Sequence, residues 1–221
     1  MKHLDTLPNL NNNVFIIDKP IALSSMGVLR TMKRILGVKK IGHAGTLDPF
    51  ATGLLIVGVG KESTIRLDEF KNLDKTYEAI LQLGEISTTQ DPEGKIEKTN
   101  FSGQITLEQV QTVLDNFLGK QKQTPPMHSA KRVKGQRLYK LARQGIEIER
   151  EAVDIEIYNI KLLDYKYPKL KIEIKCSTGT YIRQLAQDIG EALGSGAYCL
   201  ELRRTRIGEY SVNDAKGVKE V

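Results

Sequence analysis

Twelve residues, GHAGTLDPFATG from Gly42 to Gly53, constrain this chain more than any other stretch. They hold three glycines, one histidine, one proline and one carboxylate. Glycine admits backbone conformations and close approaches that a Cβ forbids, so the run reads as a shaped loop. Asp48 stands directly before Pro49, and a residue preceding proline is turned towards extended or turn geometry and away from helix. Helical patterning precedes the loop, and the apolar run Leu54–Val59 after it reads as a buried strand. A carboxylate presented between rigid elements is a natural place for chemistry. Asp-Pro is also a common turn, so this stretch alone leaves Asp48 as either a turn residue or a reactive group.

The 221 residues suffice for a sizeable core, as one domain or one domain with a lobe. An apolar fraction of 40% and a charged fraction of 27% are those of a water-exposed globular chain, and no run approaches eighteen apolar residues. Residues 1–13 are polar and Asn-rich, without the apolar centre of a signal peptide. Cys176 and Cys199 lie far apart with no metal-ligand spacing, and His3, His43 and His128 are scattered. That pattern suits a reducing cytoplasm and gives no basis for a zinc site.

Charge is more informative in its distribution than in its total. Lys and Arg number 33 against 27 Asp and Glu, a net charge of +6. From Lys120 to Ile146 there are eight cations (Lys120, Lys122, Lys131, Arg132, Lys134, Arg137, Lys140 and Arg143) and no acid, with His128 and Tyr139 among them. Such a block either neutralises phosphates or forms a solvated face. Arg30, Lys33, Arg34, Lys39 and Lys40 lead into the Gly42–Gly53 loop, which favours a polyanionic substrate.

Val14–Asp18 reads as a buried strand. Ser24 or Ser25 then caps a helix with Val28, Leu29, Met32, Ile35 and Leu36 inward, closed by Gly37. The segment Gly58-Val59-Gly60-Lys61-Glu62-Ser63-Thr64 is not a phosphate-binding P-loop, because Leu55 replaces the first glycine and Glu62 follows the lysine. Asp74–Gly84 alternates as a strand with Tyr77, Ala79, Leu81 and Leu83 on one face. Residues 87–103 read as polar turns around Asp91-Pro92-Glu93-Gly94. Thr106 and Gln109 form a capping box for a helix with Leu107, Val110, Leu114 and Phe117 inward, ended by Gly119. A short helix follows around Leu138–Arg143, then strands Val153–Leu163 and Leu170–Cys176. Thr180 caps a last helix whose stripe is Ile182, Leu185, Ala186, Ile189 and Leu193. Arg183, in its first turn, opposes the helix dipole and gains from a carboxylate or phosphate. This mixture predicts an α+β fold: a mixed, largely antiparallel central sheet flanked by helices.

Four segments carry a resemblance: Gly42–Pro49 (GHAGTLDP), Asp74–Tyr77 (DKTY), Pro125–Ala130 (PPMHSA) and Gly179–Arg183 (GTYIR), supported by Arg137–Gly145 and Leu202-Arg203-Arg204. In this order and spacing the chain resembles the TruB family, which makes pseudouridine 55 in the T-loop of tRNA. The resemblance runs from about Asp18 to Arg204. It implies the pseudouridine synthase catalytic fold, a tRNA substrate held by its T-arm, no cofactor, and no metal or nucleotide.

The resemblance also implies roles. Asp48 matches the nucleophile, Arg183 the guanidinium that favours its ionised form, and Tyr77 the ring that stacks on the flipped uracil and helps remove the C5 proton. His43 matches the residue that fills the opened T-loop, and Tyr181 and Leu202 match positions lining the uracil pocket. Lys19, Lys131, Arg132, Lys134, Arg137 and Arg143 are expected, from charge and neighbourhood, to contact the RNA backbone. The sequence departs from the family at Ala22, usually glycine, at His128, usually tyrosine or phenylalanine, and at Lys131, usually apolar. Residues 1–221 are expected to form one catalytic domain that acts as a monomer and lacks the C-terminal RNA-binding (PUA-like) domain of bacterial relatives. The alternative is a T-arm-binding RNA chaperone in which catalysis is secondary.

Overall fold

The structure, a computed structural model, describes residues 13–133 and 135–221. The chain divides into two compact units, residues 1–77 with 203–221, and residues 78–202. The first begins with β1 (Val14–Lys19), α1 (Ser25–Leu36), β2 (Ile41–Ala44), β3 (Thr52–Val59) and α2 (Gly60–Lys71), and β4 (Lys75–Leu83) runs on into the second. There follow β5 (Glu85–Ser87), β6 (Ile96–Lys98), α3 (Leu107–Asn116), β7 (Gly119–Gln123), β8 (Arg132–Val133), β9 (Gln136–Arg137), α4 (Leu138–Ala142), β10 (Val153–Lys166), β11 (Lys169–Cys176) and α5 (Ile182–Ala192). The strand β12 (Ala197–Ile207) returns to the first unit, which ends with β13 (Tyr210–Ser211), a 3-10 turn (Val212–Asp214) and β14 (Lys216–Gly217). The architecture is the expected α+β arrangement on a mostly antiparallel sheet. No helix among the described residues is long and apolar enough to cross a membrane.

In the first unit β3 is the central strand. It pairs antiparallel with β1 from Val14↔Gly58 to Lys19↔Gly53, and antiparallel with β2 from Ile41↔Val59 to Ala44↔Ile56. It also pairs parallel with β12 at Arg203↔Thr52 and Arg204↔Gly53. Its apolar run is continuous because both faces are covered. Leu54 and Ile56 pack with Val14, Leu67, Phe70 and Ile207, whereas Leu55 and Val57 pack with Ile17, Val28, Leu29 and Met32. In the second unit the strand order is β12-β4-β11-β10-β7. Both β4 and β11 bury alternate residues, Tyr77, Ala79, Leu81 and Leu83 on one, Leu170, Ile172, Ile174 and Cys176 on the other.

Several local expectations change. Part of the expected loop is strand, since Gly42, His43 and Ala44 belong to β2 and hydrogen-bond to β3; the true loop is residues 45–51. The helix α2 has no strong apolar stripe in sequence, because its buried face is only Ser63, Leu67 and Phe70. The polar stretch after β4 folds as a hairpin, Glu85↔Lys98 to Ser87↔Ile96. Ile35 and Leu107 are exposed, at 44% and 58%, and not on the buried faces of their helices. The α3 helix stops at Phe117, and Gly119 starts β7. Thr180 does not cap α5; its hydroxyl donates to the Ser177 carbonyl, and the capping position is Tyr181.

Gly53 is where the first unit tolerates no side chain. Its φ is +102°, and a Cβ there would lie 2.3 Å from the Arg204 carbonyl oxygen and 2.9 Å from its nitrogen. Gly60 has a similar φ of +87° but faces open space. Gly60→Ala is therefore expected to cost about 1 kcal/mol, the left-handed penalty alone. Gly53→Ala should cost several-fold more or prevent folding, because β3 and β12 must separate. Urea unfolding of the two variants checks this; equal costs would contradict the packing described.

Candidate functional site

The residues singled out by sequence divide between the units. Asp48, His43, Tyr77 and Lys19 lie in the first, and Arg183, Tyr181, Leu202 and the basic block in the second. Each group is built locally.

Asp48 sits half-buried in the loop joining β2 to β3, between buried Leu47 and Phe50. The backbone on both sides of it is clamped. Ser25, buried in the first turn of α1, donates its hydroxyl to the Leu47 carbonyl at 3.0 Å and accepts the Leu47 N–H at 2.9 Å. On the other side the Pro49 carbonyl accepts from the Ala22 N–H at 3.0 Å and from the Lys19 ammonium at 3.3 Å. The Asp48 carbonyl itself accepts from the Ala51 N–H at 3.1 Å, closing the turn over Pro49. The Arg204 guanidinium, among the largest fully buried side chains, donates to the carbonyls of Gly45 at 3.1 Å and Leu54 at 2.8 Å. A carboxylate on a loop held this way keeps one position.

Burial corrects the expectation that Lys19 contacts an RNA backbone. Its side chain is fully buried, and its ammonium donates to the carbonyls of Pro20, Leu23 and Pro49. It fastens the loop from within. Ala22 has a φ of 63°, the left-handed region that favours glycine, which accounts for the family's usual residue there. Neighbouring Arg203 pairs with Asp18 at 2.7 Å and reaches the Thr52 hydroxyl.

His43, on β2 opposite Val57, has its imidazole pKa pushed down to about 4 by burial and by the positive charges of Arg204 and Lys71; the Gly45 backbone works weakly the other way. The ring is neutral at pH 7. Tyr77 is 8% exposed on the apolar face of β4.

In the second unit Arg183 is buried in the first turn of α5. Its guanidinium donates to the Thr89 carbonyl at 2.8 Å and the His128 carbonyl at 2.7 Å, and pairs with Asp91 at 3.4 Å. Asp91 is itself buried and accepts from the Glu93 N–H and the Thr89 hydroxyl. The charge at the helix terminus thus has a carboxylate partner, a residue that in sequence reads only as part of a turn. Tyr181 is held through its backbone by Gln123, whose amide donates to its carbonyl at 3.0 Å and accepts its N–H at 2.8 Å. Leu202 is buried on β12. A cleft of about 510 Å³ opens beside this network, with Thr89, Gln90, His128 and Gln184 among its lining residues.

Among the basic residues, Arg137 and Arg143 are exposed and Lys131 is half-buried. Lys134 and the side chain of Arg132 lie outside the described residues. Arg143 stands 5.6 Å from the Tyr139 ring centre, and a hydrogen bond from Arg137, with nearby Lys140 and Arg143, pulls the Tyr139 phenol below its ordinary pKa.

Residues 33–182 match the family described as TruB family pseudouridylate synthase (N terminal domain), and residues 183–221 match the tRNA pseudouridylate synthase B C-terminal domain. The chain is 45% identical over 207 residues to tRNA pseudouridine synthase B of Desulfotalea psychrophila, covering 91% of this chain and 84% of that one. It is 44% identical over 201 residues to the protein of that name from Chlamydia trachomatis serovar L2, covering 90% and 82%. Among solved structures it is similar to a chain in a Cbf5-Nop10-Gar1 complex (TM-score 0.69, 28% identity, 90% of this chain and 50% of that one). It is similar also to one in an H/ACA RNP bound to a substrate RNA containing 2'-deoxyuridine (TM-score 0.69, 26% identity, 93% and 51%). The chain spans about half the length of those two structures.

The depressed His43 pKa has a consequence for stability. The unfolded chain takes up a proton near pH 6.5, and the folded chain resists it down to about 4. Stability linked to this group is therefore full above pH 6.5 and falls as pH drops through that window. Urea unfolding at pH 7 and pH 4.5 should show a loss on the order of 2 kcal/mol greater in the wild type than in His43→Gln. Equal losses would contradict a half-buried ring held neutral by its surroundings.

Proposed function

The chain belongs to the TruB family of pseudouridylate synthases, and from that membership we propose that it converts uridine 55 in the T-loop of tRNA to pseudouridine with Asp48 as nucleophile. Uridine and pseudouridine are isomers. The C1′–N1 bond breaks, the uracil turns, a C1′–C5 bond forms, a proton leaves C5 and one is taken up at N1. The balance needs no oxidant and no phosphoryl donor, and a carboxylate suits the step because it can attack and later leave.

The observation that carries this reading is the clamped backbone on either side of Asp48, with Ser25 on Leu47 and with Ala22 and Lys19 on Pro49. Such restraint has a purpose where a carboxylate must meet a reacting atom within a fraction of an ångström. Arg183 is assigned the role of the cation that favours ionised Asp48, with Asp91 and two carbonyls fixing its guanidinium fork. The target base must leave its stack at a cost of a few kcal/mol. Tyr77 supplies the stacking face, neutral His43 takes the vacated place in the loop, and Tyr181 and Leu202 line the uracil pocket. Arg137 and Arg143 are exposed as phosphate contacts require. We take the protein to act as a monomer on the T-arm, in the cytoplasm where tRNA is found.

An unmodified tRNA transcript incubated with the protein and read by site-resolved pseudouridine detection tests this. The wild type should convert one T-loop uridine. Asp48→Asn should be slower by at least about 10³-fold while binding RNA within a few-fold of wild type. Arg183→Lys, which keeps the charge but loses the fork, should lie between them. Full activity in Asp48→Asn would remove the nucleophile assignment. Tight binding without conversion by the wild type would instead favour a T-arm chaperone.

A further inference from the structure

Between Asp18 and Asp48 the chain contains no acidic residue. That stretch includes all of α1 and carries Arg30, Lys33, Arg34, Lys39 and Lys40, every one of them exposed. Arg30, Lys33 and Arg34 are spaced i, i+3 and i+4, so they share one face of the helix, and like charges at that spacing weaken a helix. Two of the three lie in the last turn, where the dipole offsets part of the repulsion, but Arg30 is mid-helix and gains nothing from it.

Several cations elsewhere on the surface stand beside acids. On α2, Arg66 pairs with Glu69 and Lys71 with Asp68. Elsewhere Lys122 pairs with Asp154, Lys171 with Glu78, Arg203 with Asp18 and Arg206 with Glu209. Among the described residues none of the five cations on and after α1 forms an ion pair. A solvated helix face ordinarily mixes signs, as α2 does; this one is single-signed and unpaired, the footprint of a surface that meets a polyanion.

The same helix holds the loop of Asp48. Ser25, at its first turn, is hydrogen-bonded to Leu47, and Lys33 and Arg34 lie roughly 13 Å further along at 1.5 Å rise per residue. The helix is therefore a rigid spacer between the reacting carboxylate and an array of cations. We propose that the exposed face of α1 with Lys39 and Lys40 is a phosphate-binding track that seats the double-helical stem of the RNA substrate, and so sets the position of the target loop over Asp48. The proposal rests on the RNA-modifying function above. A duplex fits better than a single strand because the face offers cations without an aromatic platform: its exposed apolar residues are Met26 and Ile35. Paired RNA is gripped mainly through phosphates and 2′-hydroxyls, whereas single strands are held by stacking.

Neutralisation of the face tests this, and the exposed positions permit it without unfolding. The variant Arg30→Gln/Lys33→Gln/Arg34→Gln should bind a T-arm stem-loop about tenfold or more weakly at 100 mM salt. Its plot of log affinity against log salt should be shallower by about 0.9 for each phosphate that the variant no longer neutralises. A control that removes equal charge from paired sites, Arg66→Gln/Lys171→Gln/Arg206→Gln, should leave the slope near wild type. Shortening the RNA stem should weaken binding by the wild type and leave the triple variant unchanged. An unchanged slope in the triple variant, an equal change in the control, or indifference of the wild type to stem length would overturn the track. Failure of the wild type to bind or modify tRNA at all would instead sink the function on which it rests.

Discussion

The two hydrogen bonds between the Ser25 hydroxyl and the Leu47 backbone are the interaction on which the rest of the first unit turns. They join the buried first turn of α1 to the residue before the proposed nucleophile, and one side chain satisfies both a donor and an acceptor. Because Ser25 and Leu47 are buried, water cannot substitute for either bond without opening the core. Everything nearby supports the same geometry. Lys19 and Ala22 take the carbonyl of Pro49, and Arg204 takes those of Gly45 and Leu54. Two fully buried cations are thereby placed on backbone carbonyls, which offsets part of the cost of burying a charge.

The second unit also buries a cation, in the first turn of α5. Arg183 has two carbonyls and the carboxylate of Asp91. Removing one partner from a buried pair costs about 3–5 kcal/mol, so the fork is held in one orientation. A guanidinium fixed in this way supplies directed donors at low reorganisation cost. Basic surfaces of this kind attract a polyanion over a longer range without carrying sequence information themselves.

Much of this is legible in the sequence, for local reasons. The strands β4 and β11 announce themselves by alternation, and the capping box of Thr106 and Gln109 is a four-residue pattern found as expected. The left-handed Gly37 ends α1 where the pattern stops. Family membership is legible because its motifs are short and contiguous. What escapes is set by partners distant in sequence. Lys19 reads as a surface charge until its bond to Pro49, thirty residues on, is known, and the bond from Arg204 to Leu54 spans 150 residues. Asp91 reads as a turn residue because Arg183, its partner, lies far along the chain. The helix α2 is hidden because three buried positions make too faint a stripe.

In the proposed function the α1–loop clamp positions Asp48 for reaction, beyond its part in stability. The most direct test is single-turnover pseudouridine formation by Ser25→Ala at saturating tRNA, with RNA affinity measured in parallel. Loss of the clamp should slow the step by roughly tenfold or more, as misplacement of a reacting group does, with affinity within twofold of wild type. An unchanged rate in a folded variant, or a loss confined to affinity, would contradict that role.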